Sequence, residues 1–269
     1  MSLYYSDLEP LVRQSGRTSI TRDGFTFSLD LDFRHERVYA AKLLLDVRQP
    51  QCDIDELLIR RFVQVGDRVL DGGAHIGFTA WQMFTAGATE VVAVEPVPSI
   101  FSRLQNLRTS GFFAVNAAID AQAGSGTLIL STSHNQGSSL DASMLAIFPS
   151  VFGEQPRSIK VDLTTIDQLV SQFGALDVWK LDIEGSEGRA MRGAQHSLKH
   201  CPPRVIFAEL YDPFRDEFAA LAEPTHPHAY RAFIDRHRYE LTLLPFRTPH
   251  TEDFHITSPM YVFTREALC

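Results

Sequence analysis

The pattern of hydrophobic and polar positions divides most of the chain into strands and helices. Short apolar runs bounded by glycine, proline or an acid predict buried strands, and apolar residues recurring every three to four positions predict helices. The first strong signal is a strand through Val69 and Leu70 that enters a glycine-rich turn and then a helix near Ala80. Further strands are predicted at residues 90–96, 112–119, 127–133, 158–163, 177–183, 204–210, 239–245 and 260–264, and helices at residues 53–62, 99–110, 163–170, 187–198 and 228–237.

Strands that alternate with helices predict an α/β fold with a mostly parallel sheet. Residues 24–32 alternate apolar and polar side chains, which indicates a strand with one covered face in a small hairpin or cap. We expect residues 1–65 to form an N-terminal extension that packs as a cap on a main domain of residues 66–269. Residues 134–156, rich in Ser, Gly and Pro, are predicted to be a substrate-facing insertion.

Composition limits the possible partners. The 269 residues are 44% hydrophobic and 22% charged, which is typical of a soluble globular protein. A net charge of -8 argues against a nucleic-acid-binding surface. Three scattered cysteines without metal-ligand spacing favour reduced thiols. There is no apolar run of about 18 residues and no signal-peptide pattern, so we expect a cytoplasmic protein with no membrane partner.

The turn after Leu70 predicts a cofactor site. Gly72, Gly73 and Gly77 permit tight turning, and the N–H groups at the following helix start suit a carboxylate, a ribose or a phosphate. Glu95 ends the next strand about 22 residues beyond Gly73, near the spacing at which an acid binds ribose hydroxyls. The glycines depart from G-x-G-x-x-G, which weakens a prediction of NAD binding. The pattern therefore predicts a nucleoside-bearing cofactor.

A second group of polar residues follows the strand at residues 177–183. Alternation places Lys180, Asp182 and Glu184 on one side of that strand, and ligands in open α/β sheets bind beyond the carboxyl ends of strands. Unpaired buried charge costs several kcal/mol, so such a group favours a chemical role. An ion pair of Lys180 with Asp182 or Glu184 that only stabilises the strand is the structural alternative. Glu209, at the end of a further strand, is a second-line member of this site.

Three motifs carry a resemblance to a known family. Residues 71–79 (DGGAHIGFT), 94–98 (VEPVP) and 180–187 (KLDIEGSE) together resemble the FkbM family of S-adenosylmethionine-dependent methyltransferases. The resemblance extends from about residue 65 to residue 210, and the third motif is its most particular part. It implies a Rossmann-like class I methyltransferase fold, with a mostly parallel seven-stranded sheet, an antiparallel last strand and helices on both faces.

The resemblance also implies which residues contact S-adenosylmethionine. In similar methyltransferases the adenine lies beside the end of the third strand, here Ala118 and Ile119, and small residues there are equally consistent with close helix packing. The expected cofactor-binding residues are Asp71, Gly73, Ala74, His75, Gly77, Thr79, Glu95, Pro96, Ala118 and Asp182.

The expected reaction is O-methylation of a small metabolite, a sugar or a natural product. A hydroxyl acceptor must lose its proton, so we expect Asp182 or Glu184 to act as the base, with Lys180 orienting the carboxylates or lowering the acceptor's pKa. His134 is another candidate base, and a divalent ion held by Asp182 and Glu209 is a competing means of acidifying the hydroxyl. The alternative functions are N-methylation, NAD-dependent oxidoreduction, and cofactor binding without catalysis.

Overall fold

The computed structural model describes residues 3–12, 15–131, 135–153 and 155–268. His134, a candidate base, lies outside the described residues. Within those ranges, no helix combines the length and the hydrophobicity needed to cross a membrane.

The N-terminal segment is a hairpin followed by two longer helices. Phe25, Phe27 and Leu29 are buried while the residues between them are more exposed, so the predicted alternation is confirmed. The predicted helix at residues 53–62 lies within a longer helix that begins at Pro50. The elements are β1 (Leu3–Tyr4), α1 (Tyr5–Leu8), a 3-10 turn (Glu9–Leu11), β2 (Arg17–Arg22), β3 (Phe25–Asp30), α2 (Arg34–Leu44), β4 (Val47–Arg48) and α3 (Pro50–Phe62).

The next segment differs from prediction at its third strand. The expected strand at residues 112–119 is broken, because the Asn116 side chain donates to the carbonyl oxygens of Glu95 and Pro96 at 2.8 and 3.2 Å, where the chain leaves the main sheet. The helix expected to continue to residue 110 ends at Leu104. The elements are β5 (Arg68–Gly72), α4 (Phe78–Ala86), β6 (Glu90–Val94), α5 (Pro98–Leu104), β7 (Phe112–Val115) and β8 (Ala118–Ile119).

The middle of the chain adds a small second sheet, in the order β8-β10-β9. Thr165 is the N-cap of the helix that follows, since its side chain accepts a hydrogen bond from the N–H of Gln168. The single helix predicted at residues 187–198 is two helices that are separated near Gly193. The elements are β9 (Gly124–Leu130), α6 (Met144–Ile147), α7 (Pro149–Phe152), β10 (Arg157–Thr164), α8 (Ile166–Phe173), β11 (Val178–Leu181), α9 (Glu187–Arg192) and α10 (Gln195–His200).

The C-terminal segment contains the clearest wrong prediction. Residues 228–237 were expected to be a helix, but His228–Ile234 form a strand. This strand pairs on both sides, and its buried Phe233 and Ile234 suit a pleated surface. A helix that had not been predicted, beginning at Asp212, precedes it. The elements are β12 (Val205–Glu209), α11 (Asp212–Ala222), β13 (His228–Ile234), β14 (Leu241–Pro245) and β15 (Met260–Thr264).

The main sheet has eight strands in the order β14-β13-β15-β12-β11-β5-β6-β7. Strands β12, β11, β5, β6 and β7 are parallel neighbours, whereas β15 is antiparallel to β12 and β13. The predicted fold class and the antiparallel last strand are confirmed. The expected count of seven is exceeded by the edge strand β14, which pairs antiparallel with β13.

The core joins the N-terminal segment to the sheet. Phe27 and Leu29 of β3 belong to the same buried cluster as Ile54 of α3 and Val69 of β5. A second buried cluster contains Leu70. Because neighbouring residues of β5 face opposite sides of the sheet, the sheet is covered on both faces. Strand β5 lies between β11 and β6, so the chain order reverses there and a crevice opens beyond the carboxyl ends of these strands.

Candidate functional site

The turn after β5 is pressed against the end of β11. Gly73 has a φ of +79°, and a Cβ at this position would overlap the backbone carbonyl oxygen of Asp182. Gly77 has a φ of +87° and is the N-cap of α4, where a Cβ would overlap the side chain of Leu107. Only glycine fits both the backbone conformation and the available space. Glycine at these two positions therefore lets the turn pack directly against the backbone of Asp182 and the side chain of Leu107.

Glu95, beyond the end of β6, holds this turn in place. Its carboxylate accepts hydrogen bonds from the N–H groups of His75 at 3.1 Å and Val97 at 2.8 Å. Burial raises the pKa of Glu95 to about 7, although these two amides favour the charged form. A carboxylate accepts about four hydrogen bonds, so it retains capacity for ribose hydroxyls.

Beneath the turn lies a buried ion cluster centred on Lys180. Its Nζ is 3.4 Å from Oδ1 of Asp71 and 3.4 Å from Oδ2 of Asp182. The other oxygen of Asp71 accepts a 2.6 Å hydrogen bond from the hydroxyl of Thr79 at the start of α4. Burial opposes the charge of Lys180, but the charges of Asp182, Asp71 and Asp55 outweigh it and raise the pKa of Lys180. The lysine is thus a fixed cation.

Three carboxylates meet beyond the ends of β11 and β12. Asp182, Glu184 and Glu209 each bring an oxygen within 4.8 Å of the others. The hydroxyl of Tyr211 lies 2.9 Å from Oε1 of Glu209 and 3.3 Å from Oε2 of Glu184. Burial and then the charge of Asp182 raise the pKa of Glu184 to about 8, and the same two causes raise the pKa of Glu209. These three acids differ from an ordinary ion pair, because they outnumber the neighbouring cation, Lys180.

A cavity of about 440 Å³ connects the turn with the carboxylates. This volume lies within the usual range for small-molecule sites, about 300–1,000 Å³. Asp71 and Gly77 are not among its lining residues and support the turn from behind. The predicted site residues that line it are Gly73, Ala74, His75, Thr79, Glu95, Pro96, Ala118, Ile119, Lys180, Asp182, Glu184 and Glu209.

The connection between β9 and β10 contributes a wall of the same cavity. Asn135, Gln136 and Ser138 line it. The side chain of Gln136 donates to the hydroxyl of Tyr39 at 2.6 Å, and the hydroxyl of Ser139 donates to the backbone carbonyl of Glu184 at 2.5 Å. The described part of the predicted insertion therefore contacts both α2 and the backbone of Glu184, one of the three clustered acids.

Sequence reasoning missed several residues of the cavity. Tyr211, His35 and Tyr39 line it, as does Asp55 of α3. Tyr211 follows Glu209 by two positions, and that spacing at a strand end was an available signal. The N-terminal residues carried no such signal, because only the folded chain brings α2 and α3 over the sheet.

A second group of possible metal ligands consists of His35, Glu36 and His75. Glu36 is fully buried, and Arg103 contacts both of its carboxylate oxygens, at 3.0 and 2.7 Å. The side chain of Asn135 also donates to Glu36 at 2.6 Å. The charge of Glu36 is already compensated, so this group fits a structural ion pair better than a metal centre.

The fold is that of a class I methyltransferase. Residues 71–241 match the model of the Methyltransferase FkbM domain, which is more than half of the chain. The chain belongs to this FkbM family of S-adenosylmethionine-dependent methyltransferases, and the resemblance drawn from the three motifs is confirmed. No curated protein sequence matches the chain.

Solved structures with a related fold have low sequence identity. A methyltransferase FkbM from Methylobacillus flagellatus is 17% identical with a TM-score of 0.45, over 74% of this chain and 43% of that one. This chain therefore spans less than half the length of that protein. A SAM-dependent methyltransferase from Agrobacterium tumefaciens is 10% identical with a TM-score of 0.46, over 96% of this chain and 72% of that one.

Proposed function

We propose that the protein transfers the methyl group of S-adenosylmethionine to a hydroxyl oxygen of a small metabolite, a sugar or a natural product. One observation carries this proposal: the glycine turn and the three carboxylates line a single cavity beyond the carboxyl ends of neighbouring strands. The turn suits the cofactor, and the carboxylates suit an acceptor that must lose a proton. The family match supports the same reaction class.

The residues present fit the cofactor. Gly73 of the turn lines the cavity, and Glu95 lines it as an acceptor suited to ribose hydroxyls. Ala118 and Ile119 line it as candidates for the adenine side. The proposed cofactor side comprises Asp71, Gly73, Ala74, His75, Gly77, Thr79, Glu95, Pro96, Ala118 and Asp182.

The proposed organisation has residues 66–269 as the catalytic domain, with residues 1–65 as a cap. Residues 134–156 then form the substrate-facing insertion. Asn135 and Ser138 of the insertion and Tyr39 of the cap line the cavity, which supports this division of roles. The acceptor is held between these two segments and the carboxylates.

When bound, S-adenosylmethionine supplies an activated sulfonium methyl group, which passes to the acceptor oxygen and leaves S-adenosylhomocysteine. Glu184 takes the proton that the hydroxyl loses. A pKa of about 8 places this carboxyl near working pH, where a general base is most effective. Lys180 fixes Asp182 beside it, and Tyr211 holds Glu184 against Glu209. The chain contributes positioning and proton removal.

A divalent cation is the competing way to acidify the acceptor, and the close approach of Asp182, Glu184 and Glu209 favours it. Oxygen ligands from three carboxylates suit magnesium. The base mechanism requires no added ion. Turnover in the presence of a chelator distinguishes the two mechanisms, because only the cation mechanism loses activity and regains it with magnesium.

Transfer of a labelled methyl group tests the proposed function. The purified protein is incubated with methyl-labelled S-adenosylmethionine and a metabolite extract, and the labelled products are analysed by NMR. Label on an oxygen supports O-methylation, and label on a nitrogen supports the alternative of N-methylation. Absence of labelled product, together with reduction of NAD in a parallel incubation to which NAD is added, would contradict methyl transfer and favour an oxidoreductase.

A further inference from the structure

Two acids of α3 have different surroundings, although they are two residues apart. Asp53 accepts hydrogen bonds from the N–H of Gln49 at 2.7 Å and from the hydroxyl of Tyr239 at 2.5 Å, and it forms an ion pair with Lys42. Asp55 lines the cavity, and its Oδ1 is buried with no hydrogen-bond partner among the described residues. Asp53 is therefore a structural residue, whereas Asp55 has an acceptor to offer to a ligand.

The charges around Asp55 indicate the kind of ligand. The charges of Asp182, Asp71 and Asp55 all raise the pKa of Lys180, so three carboxylates act on this one ammonium group. Burial raises the pKa of Asp55 to about 7, and the charges of Asp182 and Asp71 add to this against the opposing effect of Lys180. A bound cationic donor group would relieve the excess of negative charge.

The position of Asp55 indicates which part of the cofactor is involved. Lys180 and Asp71 lie opposite each other on the neighbouring strands β11 and β5, next to the turn that contains Gly73. Glu95 is on the other side of that turn, beyond β6. If Glu95 binds the ribose, the opposite end of the cofactor, which carries the amino acid, extends toward Lys180 and Asp55.

We propose that Asp55 is a cofactor-binding residue that accepts hydrogen bonds from the α-ammonium group of S-adenosylmethionine. This assignment rests on the proposed function and deepens it. Asp55 precedes residues 71–241, the part that matches the family model. The N-terminal segment then completes the cofactor site as well as covering it.

Calorimetric titration of Asp55→Asn with three ligands tests the assignment. S-adenosylhomocysteine carries both the amine and the carboxylate, its decarboxylated form keeps only the amine, and methylthioadenosine lacks both. We expect the first two to bind about tenfold more weakly or worse, because the acceptor of the hydrogen bond from the ammonium group loses its charge. The affinity for methylthioadenosine should be unchanged, which also shows that the variant is folded.

Asp53→Asn is the matched control on the same helix. It should lower the melting temperature and leave all three affinities unchanged, whereas Asp55→Asn should not lower the melting temperature of the ligand-free protein. Equal weakening of all three ligands by Asp55→Asn, or no weakening of any, would overturn the assignment. Failure of the unsubstituted protein to bind S-adenosylhomocysteine would instead remove the proposed function, and the assignment with it.

Discussion

The two sides of the cavity are built from different kinds of interaction. On the cofactor side, Gly73 and Gly77 leave no space for a side chain, and the carboxylate of Glu95 is bound by backbone N–H groups. On the acceptor side, Glu184 and Glu209 crowd each other and share the hydroxyl of Tyr211. Backbone geometry determines the glycine turn on the cofactor side, and excess negative charge determines the acceptor side.

This difference predicts how amino-acid substitutions on each side of the cavity affect binding, folding and catalysis. A side chain added at Gly73 meets backbone atoms of Asp182, which cannot move without disturbing β11. A charge removed from the acceptor side relieves repulsion and leaves the backbone in place. Side chains added to the glycine turn should therefore affect binding and folding together, and charges removed from the acceptor side should affect catalysis while stability is kept or improved.

The largest effect is expected for Gly73→Ala. The left-handed backbone and the overlap with the Asp182 carbonyl together should lower the free energy of unfolding by about 2–5 kcal/mol and abolish S-adenosylhomocysteine binding. Gly24→Ala is the control, because Gly24 has a similar φ of +83° and open space around its Cβ position. It should cost only about 1–2 kcal/mol in thermal denaturation and leave binding intact. Equal costs at the two sites would contradict the close approach.

Glu184→Gln should have the next largest effect. Loss of a general base should lower kcat by about a hundredfold to ten-thousandfold, with little change in cofactor affinity. The pKa of Glu184 is raised to about 8, so the unsubstituted protein should become more active as the pH rises through that value, and the variant should lack this rise. Initial rates over a range of pH measure both effects.

The same variant should raise the stability of the protein, although it lowers kcat. The unfolded chain releases this proton near the ordinary pKa of 4.5, whereas the folded protein holds it up to about 8. The folded state therefore loses stability relative to the unfolded chain as the pH rises between these values, because only the unfolded chain releases the proton there. Glu184→Gln should remove that contribution and melt at a higher temperature than the unsubstituted protein at pH 8. An unchanged kcat would exclude Glu184 as the base.

A smaller effect is expected for Glu95→Gln. The amide retains one acceptor oxygen for the backbone but loses the charge that favours ribose hydroxyls, so affinity for S-adenosylhomocysteine should fall by about tenfold. Methylthioadenosine, which has the same ribose, should be weakened equally. Glu90→Gln, at the other end of β6 where Glu90 pairs with Arg68, should leave both affinities unchanged in calorimetric titration. A loss confined to S-adenosylhomocysteine would argue against a ribose role.

Chelation should have the smallest effect. If Glu184 is the base, turnover after dialysis against a chelator should equal turnover with added magnesium. Loss of activity in chelator and its recovery with magnesium would instead assign Asp182, Glu184 and Glu209 as ligands of a divalent cation. A rate assay with both treatments on one preparation makes this comparison.

Most sheet strands were predictable because apolar runs end in glycine, proline or an acid. Residues 228–237 were misassigned to a helix, since the pairing of β13 with β15 and β14 is a long-range property that local spacing does not reveal. The break between β7 and β8 likewise depends on hydrogen bonds from Asn116 to a distant loop.

The candidate site was predictable to the extent that it lies in strand-end motifs. Lys180 lies near the end of β11, and Glu95, Asp182 and Glu184 follow strands. All four were identified from their position at a strand end. Asp55 was not identified, because it lies on an ordinary amphipathic helix. Its buried oxygen, which has no hydrogen-bond partner within the part of the chain that the structure describes, becomes apparent only when α3 is packed over the sheet. Residues that reach a site from a packed helix carry no local signal of it.

Calorimetric titration of the unsubstituted protein with S-adenosylhomocysteine, next to an identical titration with NAD, tests the central claim most directly. We predict saturable binding of one S-adenosylhomocysteine per chain and no binding of NAD. Binding of NAD without S-adenosylhomocysteine, or binding of neither, would contradict the claim that the turn after β5 and the acids after β11 form one cofactor and acceptor site.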